Sequence, residues 1–379
     1  MEGDAWCRNR AAFVLCERTP VQGCGVQGLT VSIPREFKAI VQSEHGLPEK
    51  VLRIENCSLK TDEIAADEII VKVTMRPIHR GDIHILSALP QGGPVQPIAP
   101  GTLRVPGFEG VGTIVRLGSD VKGRGSFREG ERVAFFPVNG SWGEYAIADK
   151  HALLPVPDAI PDQIAAQMLI NTVTASVLIR AGHNSLKPPI TPPVYILQNA
   201  AASGVGRLLT RIALDRGVVP IRLVRSEESA ERLRSVFPGP PIYSTSDGDW
   251  KKRVRNAVAG HRLEVAFDAL GGKAIEELAE VLDDRGTVIN FGSLKSNAGM
   301  NIYALAPNNV ALKSVLIMSW FRLSQEERHQ DLELALNLAK RHPDLFEVSG
   351  EYGFSDFQKA IQHVSSPAKN GIVLLKSPE

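Results

Sequence analysis

The chain reads as an α/β protein in which a β-rich domain is joined to a doubly wound parallel sheet. Three observations carry that reading. Residues 36–155 hold short apolar runs broken by Gly, Pro and Asp. From about residue 160 strand and helix patterns alternate, which implies a parallel sheet covered on both faces. Residues 194–207, Val-Tyr-Ile-Leu-Gln-Asn-Ala-Ala-Ala-Ser-Gly-Val-Gly-Arg, form an apolar run that stops at a small-residue turn and passes straight into an amphipathic segment.

In the first part, Phe37–Val41, Glu68–Val73, Gly110–Val115 and Arg132–Phe136 are strand candidates. A helix is expected over Asp162–Arg180, with Pro161 near its start. Residues 188–193, Pro-Pro-Ile-Thr-Pro-Pro, exclude helix and central strand and make a stiff connection. A strand over Val194–Leu197 leads to a helix over Arg207–Asp215, whose Leu208, Leu209, Ile212 and Ala213 share one face. Then come a strand over Val218–Val224, a helix from Glu227, a strand over Val265–Leu270, a helix around Ala274–Leu282 and a strand over Gly286–Phe291. A long helix near Gln330–Lys340 and a strand over Gly371–Lys376 close the chain.

The 379 residues suffice for two domains of ordinary size. An apolar content of 43% and a formal charge of +1 describe a globular protein with no electrostatic footprint for nucleic acid. No apolar stretch approaches the length of a membrane span. Cys7, Cys16, Cys24 and Cys57 form neither a disulfide framework nor a zinc-ligand cluster, which suits a reducing compartment. Residues 1–35 lack hydrophobic periodicity and are expected to be a flexible extension. Their Arg8, Arg10, Arg18 and Arg35 suggest a mitochondrial presequence, but Glu2, Asp4 and Glu17 interrupt it. A cytoplasmic location is therefore expected, with a mitochondrial one as the alternative.

Strand, glycine turn and helix in succession make a phosphate site. Gly204 and Gly206 let the backbone approach a pyrophosphate, and the helix N-terminus supplies free N–H groups and partial positive charge. Ala202, Ser203, Gly204, Val205 and Gly206 are thus candidate cofactor contacts; an ordinary tight turn would use the same residues, and the strand–turn–helix context favours the nucleotide. In such folds the residue ending the second strand meets the adenosine ribose, acidic for NAD and Arg for NADP. Here the strand ends Arg222-Leu-Val-Arg225-Ser226, with no acid until Glu227. Charge-assisted bonds of about 1.5–3 kcal/mol each would then favour NADP(H), against the plainer reading of solvated arginines.

The order of elements, a β-rich domain, an inserted nucleotide-binding domain and a short return, resembles the medium-chain dehydrogenase/reductase superfamily. The motifs that carry the likeness are Pro77-Ile-His-Arg-Gly-Asp82, Val105-Pro-Gly-Phe-Glu-Gly-Val-Gly112, Gly130-Glu-Arg-Val133, Gly140-Ser-Trp-Gly-Glu-Tyr145, Asn171-Thr-Val-Thr-Ala175, Gln198 to Gly206, and Phe267-Asp-Ala-Leu-Gly-Gly272. The likeness covers about residues 36–376 and is nearest to the zinc-independent trans-2-enoyl-thioester reductases, then to quinone oxidoreductases. It implies a GroES-like β-rich catalytic domain, residues 36–165 and 318–379, with an inserted Rossmann NADP-binding domain, residues 166–317. It also implies that Asn171 and Thr174 meet the nicotinamide end of the cofactor. Asp268, Gly271, Asn290, Phe291 and Gly292 lie at the carboxyl edge of the sheet, where a purely structural turn role stands beside direct contact. A homodimer is implied as well.

No metal is expected. Zinc-dependent members use a Cys and a Gly-His-Glu motif, whereas His79 and Phe108 stand at those places; His79, Asp82 and Glu109 alone could supply three ligands. The enoyl reductases also place a tyrosine where this chain has Pro90, and no tyrosine precedes Tyr145. His79 stands where those families have Asn. Imidazole titrates near physiological pH and can donate a proton, so His79 is the candidate catalytic residue, with Asp82 fixing the loop or the imidazole; a satisfied structural histidine is the alternative. Ser87, Tyr145 and Trp320 are weaker candidates. The proline- and glycine-rich loop from Ser87 to Thr102 is expected to line the substrate mouth.

The function expected is NADPH-dependent reduction of an activated C=C bond in an enoyl thioester, enone or enal. The alternatives are an NADPH quinone oxidoreductase and a cofactor-binding protein without turnover. The expected partner is a small unsaturated molecule, with neither nucleic acid nor membrane.

Overall fold

The computed structural model describes residues 33–378 apart from 60–63, 89–96, 125–126, 294–298 and 367–368. The extension at 1–32 with its three cysteines, and Pro90 with its neighbours 89–96, lie outside the described residues. The strands of the first half are β1 (Glu36–Gln42), β2 (Leu52–Ser58), β3 (Glu68–Ile78), β4 (Gly110–Leu117), β5 (Arg132–Phe135), β6 (Tyr145–Asp149) and β7 (Leu153–Pro155). Those of the second half are β8 (Val194–Gln198), β9 (Val218–Val224), β10 (Ile242–Ser244), β11 (Leu263–Asp268), β12 (Thr287–Asn290), β13 (Ala311–Ser314), β14 (Val348–Gly353) and β15 (Ile372–Lys376).

Two compact units result. One runs to Leu169 and resumes at Leu336; the other is Ile170–Ala335. Both changes of unit fall inside helices, Met168–His183 and Gln325–Arg341. Residues 318–335 stay with the second unit because Asp331 is buried there, accepting Trp320 Nε1–H at 3.0 Å and Arg180 at 2.6 Å.

The first unit is a seven-stranded sheet in the order β14-β15-β3-β4-β5-β7, with β6 also on β3, beside the antiparallel pair β1-β2. β3 is its spine. A Cβ at Gly112 would stand 2.2 Å from the Lys72 carbonyl, so only glycine lets β4 pack this closely on it. The Arg80–Leu86 helix follows β3 at once and lays Leu86 into a core with Ile40, Ile78, Trp142 and Val373.

The single helix expected over Asp162–Arg180 is two, Asp162–Ala165 and Met168–His183. The Gln167 amide bonds back only three residues, to Ile164, tightening the turn, and its side chain bonds the carbonyls of Gln163 and Phe346. The break opens a fresh helix N-terminus at residues 168–169, whose first amides have no partner within the helix.

The second unit is a six-stranded parallel sheet in the order β10-β9-β8-β11-β12-β13. Counted within the unit this is 3-2-1-4-5-6, and the topological switch point lies between β8 and β11, where such sheets open a crevice at their carboxyl ends. Leu197, Ile221, Ala266, Val288 and Leu278 fill the core.

Candidate active site

At the carboxyl end of β8 the chain turns through Ala200, which has φ of 47°, a left-handed conformation costly for a residue with a Cβ. The Ser203 hydroxyl caps the Gly204–Asp215 helix by accepting the Gly206 amide at 3.1 Å. A Cβ at Gly206 would lie 2.6 Å from the Ala200 carbonyl and 2.8 Å from Ala201 Cα. Gln198 braces the turn from below, donating to the Gly206 carbonyl and to Thr210 Oγ1. A strained, backbone-lined turn over a helix N-terminus, fitting only glycine, suits a pyrophosphate. The turn residues of the sequence reading, 202–206, are thus brought together at the switch point.

The other sheet-edge candidates form a knot. Asp268, fully buried, accepts Asn199 Nδ2 at 2.5 Å, Asn290 Nδ2 at 2.6 Å, and the amides of Leu270 and Gly271 at 3.2 and 2.9 Å. Asn290 also donates to the Gly292 carbonyl at 2.7 Å. The Asp268 carboxylate is spent on ordering the loops at 199, 269–271 and 290–292, so it positions this edge rather than reaching outward as a ligand. Asn199 was missed, although it stands within the glycine motif. Thr174, half-buried, donates its hydroxyl to the Ile170 carbonyl at 2.8 Å, and Asn171 is buried.

Arg222 requires a correction. It is fully buried in β9, donating to the carbonyls of Phe237 at 3.0 Å and Pro240 at 2.6 Å beneath the Phe237 ring. Burial, reinforced by Arg234, pushes its pKa down to about 10. Alternation along a strand sends residues 222 and 225 to opposite faces, and the sequence reading did not separate them. Arg225 is exposed at the strand's end, and Ser226 caps the Glu227–Val236 helix through the Ser229 amide.

In the first unit, His79 follows β3 directly and precedes the Arg80–Leu86 helix. Asp82 Oδ2 accepts the His79 amide at 2.7 Å, so Asp82 holds the loop backbone. The imidazole instead pairs with Glu109, its Nε2 being 2.7 Å from Oε2. Glu109 Oε1 accepts the Leu169 amide at 2.6 Å, the free donor opened by the helix break. The imidazole is 12% exposed and the Glu109 carboxyl fully enclosed. Burial lowers the His79 pKa, but the hydrogen bond and charge of Glu109, with the charge of Asp82, outweigh it and hold the imidazole above its ordinary value. Burial drives Asp82 up to about 6 against the pull of His79. Lys369, which the sequence did not single out, stands near; burial and then Arg80 push it down to about 8.

Tyr145 packs edge-on against Phe37 in the core, and Trp320 is buried against Asp331. Neither presents a reactive group. Among the described residues no three His, Cys, Asp or Glu side chains are grouped to hold a metal ion, and no helix is long and apolar enough to cross a membrane.

Residues 65–158 match the alcohol dehydrogenase GroES-like domain and residues 204–338 the zinc-binding dehydrogenase family. The mitochondrial enoyl-[acyl-carrier-protein] reductase of Xenopus tropicalis is 29% identical over 343 residues, 87% of this chain and 92% of that protein. The fold matches Escherichia coli quinone oxidoreductase complexed with NADPH at a TM-score of 0.72 and 23% identity, over 89% of this chain and 99% of that one. A mutant enoyl thioester reductase from Candida tropicalis matches at 0.72 and 18%, over 90% and 99%. With its GroES-like and Rossmann-like parts, the chain belongs to the medium-chain dehydrogenase/reductase superfamily. Within that superfamily its similarity is to enoyl-[acyl-carrier-protein] reductases in sequence and to quinone oxidoreductase and enoyl thioester reductase in fold.

Proposed function

We propose that the chain is an NADPH-dependent oxidoreductase that reduces an activated C=C bond in an enoyl thioester, enone or enal. The observation that carries the reading is the glycine turn at the switch point of a 3-2-1-4-5-6 parallel sheet, in a chain whose relatives are named enoyl-[acyl-carrier-protein] reductases. NADPH, when bound, supplies the hydride; the turn over 202–206 holds its pyrophosphate and Arg225 with Ser226 its ribose phosphate. His79 supplies the proton that the reduced carbon needs, a role usually worth 10²–10⁴ in rate. No metal takes part.

Quinone reduction is the second reading. It is favoured by Pro90, which replaces the tyrosine of the enoyl reductases, because a quinone needs less proton-donor machinery.

The relatives' names place them in mitochondria, and a mitochondrial location is the better reading for this chain too. We also read a homodimer built on β13, an edge strand exposed at all four residues with exposed Leu312 in it and Ile302 and Tyr303 nearby in sequence.

Oxidation of NADPH and NADH, run in parallel over enoyl thioesters, enones and quinones, tests the reading. Turnover of C=C acceptors with NADPH preferred is the expected result. Turnover of quinones alone selects the second reading, and tight binding of NADPH with no acceptor turned over rejects both.

A further inference from the structure

To deliver a proton, the largely buried imidazole of His79 must be held in the right tautomer and charge state. Glu109 bonds to the ring. Its carboxyl is fully enclosed, and its two oxygens are separately committed, Oε1 to the Leu169 amide at 2.6 Å and Oε2 to His79 Nε2 at 2.7 Å. A backbone amide can only donate, so Oε1 is an acceptor. The amide belongs to the first turn of the Met168–His183 helix, whose positive end favours an anion there. A carboxylate in that position takes the Nε2 hydrogen of the imidazole, as in catalytic carboxylate–imidazole pairs generally.

We infer that Glu109 is the positioning residue of the proton step: it keeps the hydrogen on Nε2 and stabilises the imidazolium that gives up its proton. The inference rests on the proposed C=C reduction and on His79 as its proton-handling group. The step balances with the hydride of the proposed reduction and with water. Once a hydride has bonded to Cβ, the electron pair of the double bond ends on Cα; an N–H bond of the imidazolium breaks and a Cα–H bond forms. The neutral imidazole stays paired with Glu109, and a proton from water restores its charge. The other charges facing His79 are Asp82 on its own helix, which supports the cation, and Lys369, which opposes it and is itself opposed by Arg80. Arg104 in turn faces Asp82.

The test is a ring-nitrogen NMR titration of the histidine-labelled full chain, with the His79 signal assigned through H79N, joined to steady-state kinetics. In the native protein His79 should titrate above about 6.5, the ordinary imidazole value. Glu109→Gln should bring it below that value, and Glu109→Asp should leave it between the two. E109Q should lower kcat by about tenfold or more with NADPH affinity kept, and move the alkaline limb of the kcat/KM profile to lower pH. The double variant H79N/E109Q should lose no more than about twofold beyond H79N, because the two residues act as one unit. A His79 titration unchanged by E109Q, or single losses that multiply in the double variant, overturns the inference. Should E109Q not fold, a native His79 titrating below 6.5 overturns it equally. A native protein inert towards every C=C acceptor, yet with a His79 titration that follows E109Q, overturns the functional reading and leaves the hold of Glu109 on the ring. An active protein whose titration ignores E109Q overturns the inference alone.

Discussion

Asp82 accepts the amide hydrogen of His79 at 2.7 Å, so the carboxylate closes the first turn of the helix that the histidine opens. Burial, the leading influence, lifts the acid to about 6 despite this bond and the nearby imidazole. A carboxyl whose folded pKa lies above its unfolded value binds protons more tightly when folded. Its contribution to stability is full below the unfolded value near 3.8 and is lost as pH rises through 6, the reverse of the usual carboxylate. Asp82→Asn keeps an acceptor for the amide and cannot ionise. It should match the native protein near pH 4 and exceed it above pH 7 by up to about 3 kcal/mol, the ceiling set by the shift. Thermal melts across that range check this, and an Asn variant less stable than native at pH 7 contradicts it.

Gly206→Ala drives a methyl into the Ala200 carbonyl and Ala201 Cα, both backbone atoms that cannot rotate away. The turn must open, at about 1–3 kcal/mol. NADPH affinity measured by fluorescence titration should fall about tenfold or more. Unchanged affinity would show that the nucleotide phosphates lie elsewhere.

The two arginines of β9 should separate by assay. Arg222→Ala leaves the carbonyls of Phe237 and Pro240 without their donor and should cost about 2–4 kcal/mol of stability. The ratio of NADPH to NADH efficiency should stay as it was. Arg225→Ala should leave the melting temperature nearly unchanged and reduce that ratio about tenfold, the worth of one charge-assisted contact. Reversed outcomes would return the ribose phosphate to Arg222.

For the edge strand, light scattering should give twice the chain mass of 41.1 kDa, and Leu312→Asp should return the monomer. A charge placed on an edge blocks strand pairing, which needs an unobstructed row of amides and carbonyls. A native monomer ends the dimer reading.

Much of the fold was legible because its signals are local. The apolar runs of β1, β3, β4, β8, β9, β11 and β12 and the glycine motif each declare their element within a few residues. The strands that escaped notice, β2, β7, β10, β13 and β14, are mostly short or exposed and take their identity from a partner strand. The break at residues 166–167 was invisible for a related reason. Every residue there tolerates helix, and the carbonyl of Phe346, far along the chain, helps to hold Gln167 across it.

By itself the sequence determined the parallel nucleotide-binding sheet, the turn at Gly206 and the presence of a histidine at position 79, since period, turn chemistry and residue identity are properties of contiguous segments. Tertiary structure alone decided that Arg222 faces inward, that Asp268 ties three loops together, and that the partner of the His79 imidazole is Glu109 rather than Asp82. Each of those outcomes depends on what surrounds a polar group once water has been removed. Residues 30 and 60 positions apart, His79, Glu109 and Leu169, meet only when β3, β4 and a helix N-terminus converge on one buried carboxylate.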